Sequence, residues 1–226
     1  MLCLLLPEDS AEILPTFRAL TCFDRLQVTT EDRTRSEMMQ AERQRQSLGL
    51  SQSKEEFLRS LELQVRFFRA EPTDLDRITQ LINKTNQFNL TTRRRTLDQV
   101  RELSRSPHHR LFGVEVSDRF GAYGLTGVVI VEAPGVGAPW MVDTLLLSCR
   151  VLGRDVETAL LAALALEAST EGVSEIAASF IPSPKNAPAA NFLPDHGFVA
   201  DSTGVWRIST TQVPPVHPSI TLFRNR

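Results

Sequence analysis

The sequence predicts an α/β protein with a mixed central sheet flanked by helices, and three observations predict it. Short apolar runs rich in β-branched and aromatic residues recur at 64–70, 111–116, 125–132, 141–148, 176–181 and 205–209. Between the runs lie segments with apolar residues at helical spacing, Ile78, Leu81 and Ile82 in one and Leu97, Val100 and Leu103 in another. Glycine and proline clusters at 121–124 and 134–139 separate strands as turns. The resulting order is strand, two helices, three strands, helix, strand, short helix, strand.

Each element has a local cause. Asp9 or Ser10 suits the start of a helix to about Leu20, with Pro15 inside it. Residues 33–47, rich in Arg, Glu and Gln, read as a largely solvated helix stopped at Gly49. Ser53 with Glu56 three residues on has the spacing of a capping box. Asp74 and Asp76 sit in the first turn of the next helix, where acids favour the helix dipole, and Thr96 caps the one after it. The Ala- and Leu-rich stretch 154–169 is a strong helix former ended by Gly172. The apolar run 1–6 reads as a buried strand; about 20 residues would be needed to span a membrane. The tail from Gln212, with Pro214, Pro215 and Pro218, reads as an extended arm.

Composition bounds the function. The chain has 226 residues, 42% of them apolar, enough for a globular core. Its 25 basic and 27 acidic side chains leave a net charge of −2, which argues against a general nucleic-acid binder. Neither a signal peptide nor a membrane segment is evident. Three cysteines, Cys3, Cys22 and Cys149, read as reduced thiols of a cytoplasmic protein. No metal site is expected: His108 and His109 follow a turn proline, and His196 and His217 have no evident ligand partners.

Three blocks carry a resemblance. The first is the polar stretch Arg77-Ile78-Thr79-Gln80-Leu81-Ile82-Asn83-Lys84-Thr85-Asn86-Gln87-Phe88-Asn89-Leu90-Thr91-Thr92. The second is Ser117-Asp118-Arg119-Phe120-Gly121 with Gly124-Leu125-Thr126-Gly127-Val128. The third is Leu147-Ser148-Cys149-Arg150-Val151-Leu152-Gly153-Arg154-Asp155-Val156-Glu157, at a strand-to-helix junction. Together they resemble FkbH-like proteins, in which a HAD-type phosphatase domain (HAD subfamily IIIC) precedes a GNAT-like acyltransferase domain. Leu6-Pro7-Glu8-Asp9 and Thr30-Glu31-Asp32-Arg33-Thr34-Arg35 resemble the stretch after the last acidic motif of that phosphatase domain.

The resemblance implies a mainly helical remnant of a HAD-like domain over 1–63, a GNAT-like mixed sheet with helices over 64–210, and a C-terminal arm over 211–226. Phosphatase chemistry is not expected of this chain. Its Asp-x-Asp, Asp74-Leu75-Asp76, sits at a helix start and reads as dipole decoration. FkbH-like proteins resemble enzymes that load a glyceryl unit from a phosphorylated donor onto an acyl carrier protein in polyketide and related metabolism. Such an activity would engage a carrier protein and its phosphopantetheine arm, or acyl-CoA, and a separate HAD phosphatase half.

GNAT domains hold acyl-CoA pyrophosphate on backbone N–H groups at a helix N-terminus. In register, Gly153 fits, and Arg150 or Arg154 could pair with phosphate. Asp155 and Glu157 place carboxylates where phosphate would sit, and they could equally be ordinary helix-start acids. Asn186-x-x-Ala189-x-x-Phe192-Leu193-x-x-x-Gly197-Phe198 matches a second GNAT pattern in spacing, with Leu193 where a tyrosine acid is common. Asn186 could reach a pantetheine amide or a backbone group. The chain's single tyrosine, Tyr123, is read as part of a turn.

Cys149, at the mouth where a pantetheine arm would lie, is the candidate acyl-accepting nucleophile or a small core cysteine. Lys84, Asn86, Gln87 and Asn89 could line the opposite side of that mouth or simply bond a loop. Six arginines between 91 and 110, Arg93 and Arg94 among them, against Asp98 and Glu102 could receive an acidic carrier protein, or form a solvated face. Three functions remain open: a carrier-engaging acyltransferase, a non-catalytic interaction module, and an acetyl-CoA-dependent N-acetyltransferase.

Overall fold

The computed structural model of the chain describes residues 7, 9–19, 30–49, 52–135 and 137–225. The strand expected over 1–6 lies outside them, as do Cys3 and Cys22. Two compact units are present, Met1–Glu42 and Arg43–Arg226. In the first, helix α1 spans Ser10–Ala19 around Pro15, and the Asp9 carboxylate accepts from the Ala11 amide at 2.9 Å. Helix α2, Thr30–Gly49, begins in the first unit and ends in the second.

The second unit contains the sheet. Helix α3 (Lys54–Leu61) opens on the expected capping box. The Glu56 amide donates to Ser53 Oγ at 3.3 Å, and the Ser53 amide donates to Glu56 Oε2 at 3.0 Å. Strand β1 (Leu63–Arg69) leads through a 3-10 turn to α4 (Leu75–Lys84), where the Asp74 carboxylate accepts from the Glu71 amide at 2.9 Å. A two-residue strand, β2 (Phe88–Asn89), precedes α5 (Leu97–Arg105), whose Thr96 cap is again reciprocated, here by Gln99. Strands β3 (His109–Asp118), β4 (Gly121–Glu132) and β5 (Trp140–Leu147) follow. Then come α6 (Val156–Thr170), β6 (Glu175–Ala178), the short α7 (Phe192–Asp195), β7 (Val199–Ala200), β8 (Trp206–Ser209) and β9 (Ile220–Asn225).

The described strands form one mixed sheet in the order β7-β8-β6-β5-β4-β3-β1-β9, with β2 joined to β5. Pairing is antiparallel except between β5 and β6 and between β1 and β9. The fold class is therefore the expected one. Strand β4 starts four residues earlier than its apolar run suggests. Gly124 (φ +69°) does not close a turn; it lies beside a register shift in which Tyr123 is the extra residue. The tail contributes β9, an edge strand paired in parallel with β1.

Both faces of the central strands are buried, so those strands read as continuous apolar runs. On one face Val129, Val131, Leu145 and Leu147 pack with Leu160, Leu161 and Leu164 of α6. On the other, Val128, Ile130 and Leu146 pack with Ile78 and Ile82 of α4 and Val100 of α5. Helix α6 is apolar nearly all round and is accordingly buried along most of its length. It ends as its sequence suggests: Gly172 takes φ +76°, and the Val173 amide donates back to the Ala168 carbonyl at 2.9 Å. Among the described residues no helix is long and apolar enough to cross a membrane.

Candidate functional site

Strands β5 and β6 run parallel but pair over only three positions, Trp140 to Val142 against Ile176 to Ala178. Beyond Val142 the pairing ends, because β6 stops at Ala178 while β5 continues to Leu147. The opening between them is filled by the chain itself. Phe88 and Asn89 pair antiparallel with Leu147 and Leu146, and the Leu90 amide donates to the Leu145 carbonyl at 3.0 Å. Thr91 Oγ1 donates to the Asp143 carbonyl at 2.9 Å. From the β6 side, the Ile181 amide donates to the Leu90 carbonyl at 2.8 Å. All four residues, Phe88 to Thr91, are buried.

Two asparagines lock this segment. Asn186 is fully buried; its amide nitrogen donates to the carbonyls of Asn89 (3.0 Å) and Ile181 (2.9 Å), and its oxygen accepts from the Ser183 amide (2.7 Å). Both donor hydrogens are thus used on backbone, so of its two expected partners, pantetheine and backbone, the structure places backbone. Asn89, also fully buried, donates to the Thr85 carbonyl and accepts from the amides of Thr91 and Thr92. Asn89 therefore does not line a mouth; it stabilises the turn at Thr92, a β-branched residue held at φ +50°.

The junction after β5 is more open. Ser148 caps a 3-10 turn, Cys149 to Val151, in which Cys149 and Arg150 are both exposed. Cys149 is thus not a core cysteine. Loss of hydration and then the like charge of Arg77 pull the Arg150 guanidinium below its ordinary pKa. Asn86 and Gln87 immediately precede β2, whose Phe88 pairs with Leu147 at the end of β5. Lys84 and Gln87 are exposed at that end.

Gly153 is exposed with φ +73°, and a side chain there would meet open space. Arg154, expected at a phosphate, turns inward instead. It is buried and its Nη1 donates to Tyr123 Oη. The start of α6 carries carboxylates: Asp155, at φ +63°, accepts from the Thr158 hydroxyl at 2.9 Å. Glu157 has a buried Oε2 with no hydrogen-bond partner among the described residues. Burial first, then the charge of Asp155, pushes the Glu157 carboxyl above the usual carboxylate range, although its own backbone amide opposes this.

Tyr123 lies in β4, not in a turn, and belongs to a buried network that the sequence did not reveal. Its hydroxyl donates to Asp118 Oδ2 at 2.7 Å, and Asp118 also accepts a two-pronged bond from Arg45 (2.7 and 2.8 Å). The Arg45 guanidinium lies 4.2 Å from the centre of the Tyr123 ring. Burial, followed by the bond to Asp118, raises the Tyr123 pKa well above its ordinary value, so its proton is held. The one available signal was the alternation of Tyr123 and Leu125, masked by the glycines on either side.

The arginine run folds largely onto the protein. Arg93 and Arg95 share the buried carboxylate of Asp143, Arg95 at 2.6 Å. Arg94 donates to the Ile82 carbonyl at the end of α4 and to Asn86 Oδ1. These three arginines still line an open cleft of about 560 Å³ with Gln99, Glu102 and Leu103.

No protein-family model matches the sequence, and no curated protein matches it. Solved structures do resemble it. A putative GNAT-family acetyltransferase from Desulfovibrio desulfuricans is 17% identical, over 65% of this chain and 99% of that one, with a TM-score of 0.50. The spermidine N-acetyltransferase of Vibrio cholerae, solved with CoA and spermine, is 18% identical over 67% of this chain and 97% of its own, with a TM-score of 0.49. The ribosomal-protein-S18-alanine N-acetyltransferase of Escherichia coli is 13% identical over 65% and 94%, with a TM-score of 0.48. The first of these likenesses, together with the sheet order, shows that the chain has the GNAT fold.

The CoA implied by that fold does not fit these residues. The opening beside β5 is filled by Phe88 to Thr91, and the α6 N-terminus carries the carboxylate of Asp155 where a pyrophosphate would be held. The position where a phenol is common holds Leu193, buried in the core.

Proposed function

We propose that this GNAT-type domain is an acyltransferase that relays a glyceryl-type unit through Cys149 to an acyl carrier protein. The observation that carries the reading is the exposed Cys149 thiol after the end of β5, next to the exposed Arg150. The Cys149 thiolate attacks the carbonyl of an acyl phosphate; the C–S bond forms, the C–O bond breaks, and phosphate leaves toward Arg150. The thiolate of a phosphopantetheine arm then attacks the thioester, taking the acyl group and releasing Cys149. Lys84, Asn86 and Gln87 flank this approach, and the cleft of Arg93 and Arg94 suits the acidic surface of a carrier. A separate HAD phosphatase half would supply any phosphate chemistry, in the cytoplasm and within polyketide or related metabolism.

Intact-mass measurement after incubation with a mass-tagged glyceryl donor tests the reading. One glyceryl adduct on the wild-type chain and none on Cys149→Ala is the expected result. Equal labelling of the two proteins removes Cys149 from the mechanism.

A non-catalytic interaction module is the second reading, favoured by the buried Leu193 and the acidic start of α6. It predicts carrier-protein binding by calorimetry with no adduct on either protein.

A further inference from the structure

Phe88 to Thr91 does more than cover a sheet edge. Past Val142 the open side of β5 would expose backbone groups, and buried backbone groups must find partners. The segment supplies them in series, to the Asp143 carbonyl from Thr91, to the Leu145 carbonyl from Leu90, and at Leu146 and Leu147 through β2. It also bonds the opposite wall through Ile181 and Asn186. Its exit bends through Thr92 at φ +50°, a conformation costly for a β-branched residue and retained only where the surroundings over-determine it. The side chain of Phe88 adds an edge-on contact with Phe192, ring centres 5.3 Å apart.

We infer that Phe88 to Thr91 is a permanent internal occupant of the β5–β6 opening and makes the domain select against CoA and its free thioesters. A linear amide ligand laid along β5 would need the same β5 backbone groups that Leu90, Thr91 and the β2 residues Phe88 and Asn89 already engage. The diphosphate end would meet the Asp155 carboxylate at the helix start. An acyl group must therefore reach the Cys149 end of β5 from outside, with only the tip of its carrier engaged. Recognition of a carrier then falls to its protein surface and not to its arm. This last step rests on the acyl relay proposed above; the exclusion of CoA does not.

Titration calorimetry with CoA and acetyl-CoA on the full chain, paired with hydrogen exchange at the Leu90 and Ile181 amides, tests the inference. No heat of binding and slow exchange at both amides, unchanged by either ligand, is the expected result. Saturable CoA binding overturns it, whether the two amides become faster-exchanging because the segment is expelled or stay protected because CoA binds elsewhere. Fast exchange at both amides without ligand also overturns it, since the occupant would then not be permanent. The adduct assay on Cys149 is read separately, so loss of the relay and loss of CoA exclusion are distinguishable. If the adduct forms, holo carrier protein should discharge it many times faster than free pantetheine; equal rates would overturn the assignment of recognition to the carrier surface.

Discussion

The side-chain amide of Asn186 donates to the backbone carbonyl of Asn89, 97 residues earlier, at 3.0 Å in the core. This bond joins the loop after β6 to the segment that fills the β5–β6 opening. Asn186→Ala removes it together with two more bonds, to Ile181 and Ser183. Each buried group left unpaired costs about 1–3 kcal/mol. Urea unfolding should show a clearly lower midpoint, and a midpoint equal to wild type would contradict the clamp.

Asp118 sets an acid limit on stability. Burial alone would raise its pKa, but bonds from Arg45, Tyr123 and the Phe120 amide outweigh that and hold it below the usual carboxylate value. The unfolded chain therefore binds this proton at higher pH than the native chain does. The stabilisation is complete above the unfolded-state value and is lost as pH falls through the folded-state value, below about pH 4. Asp118→Asn should weaken the fold at neutral pH by about 3–5 kcal/mol, since it breaks a buried ion pair, and should flatten the acid limb of a pH–stability curve. An unchanged acid limb would rule Asp118 out as its source.

Glu157 acts in the opposite sense. Its folded-state pKa is raised, so between the unfolded and folded values the native chain holds the proton and the unfolded chain does not. Stability contributed by this group rises as pH falls from neutral through the raised value. Glu157→Gln should remove that rise while leaving the Asp118 limb in place. Chemical denaturation at a series of pH values separates the two carboxylates.

Gly127 is fixed by packing. A Cβ there would stand 2.7 Å from a Leu147 methyl and 2.9 Å from the Cβ of Val114, which cannot swing aside. Gly127→Ala should cost about 1–3 kcal/mol by overpacking. Thermal unfolding will show the loss as a lowered midpoint; a neutral substitution would mean that β4 can shift against β3 and β5.

Cys149→Ser should leave unfolding within about 0.5 kcal/mol of wild type, because the thiol is exposed and packs against nothing essential. The same variant should form no thioester adduct. A large stability change would mark the residue as structural after all.

Most of the architecture was legible in the sequence. The capping box at Ser53, the Thr96 cap, the Gly172 stop and the buried central strands depend on residues close in the chain, so local chemistry dictates them. The site was less legible. Arg150 and Gly153 are exposed at the β5 junction as their positions suggest, and Cys149, which the sequence left open between a nucleophile and a core residue, is exposed as well. Arg154 and Asn186 keep their expected locations but point at protein atoms, Tyr123 and Asn89, that sequence spacing cannot bring together.

The sequence by itself determined the α/β class, the order of the longer strands and helices and the acidic start of α6, because periodicity, turn residues and caps act over a few positions; the short strands β2 and β7 and the edge strand β9 were not evident in it. Only the tertiary structure decided that Phe88 to Thr91 fills the opening beside β5 and that Tyr123, Asp118 and Arg45 form one buried network. The physical reason is that unpaired buried carbonyls and charges find partners by proximity in space, and a partner 52 or 97 residues away leaves no periodic trace in the chain.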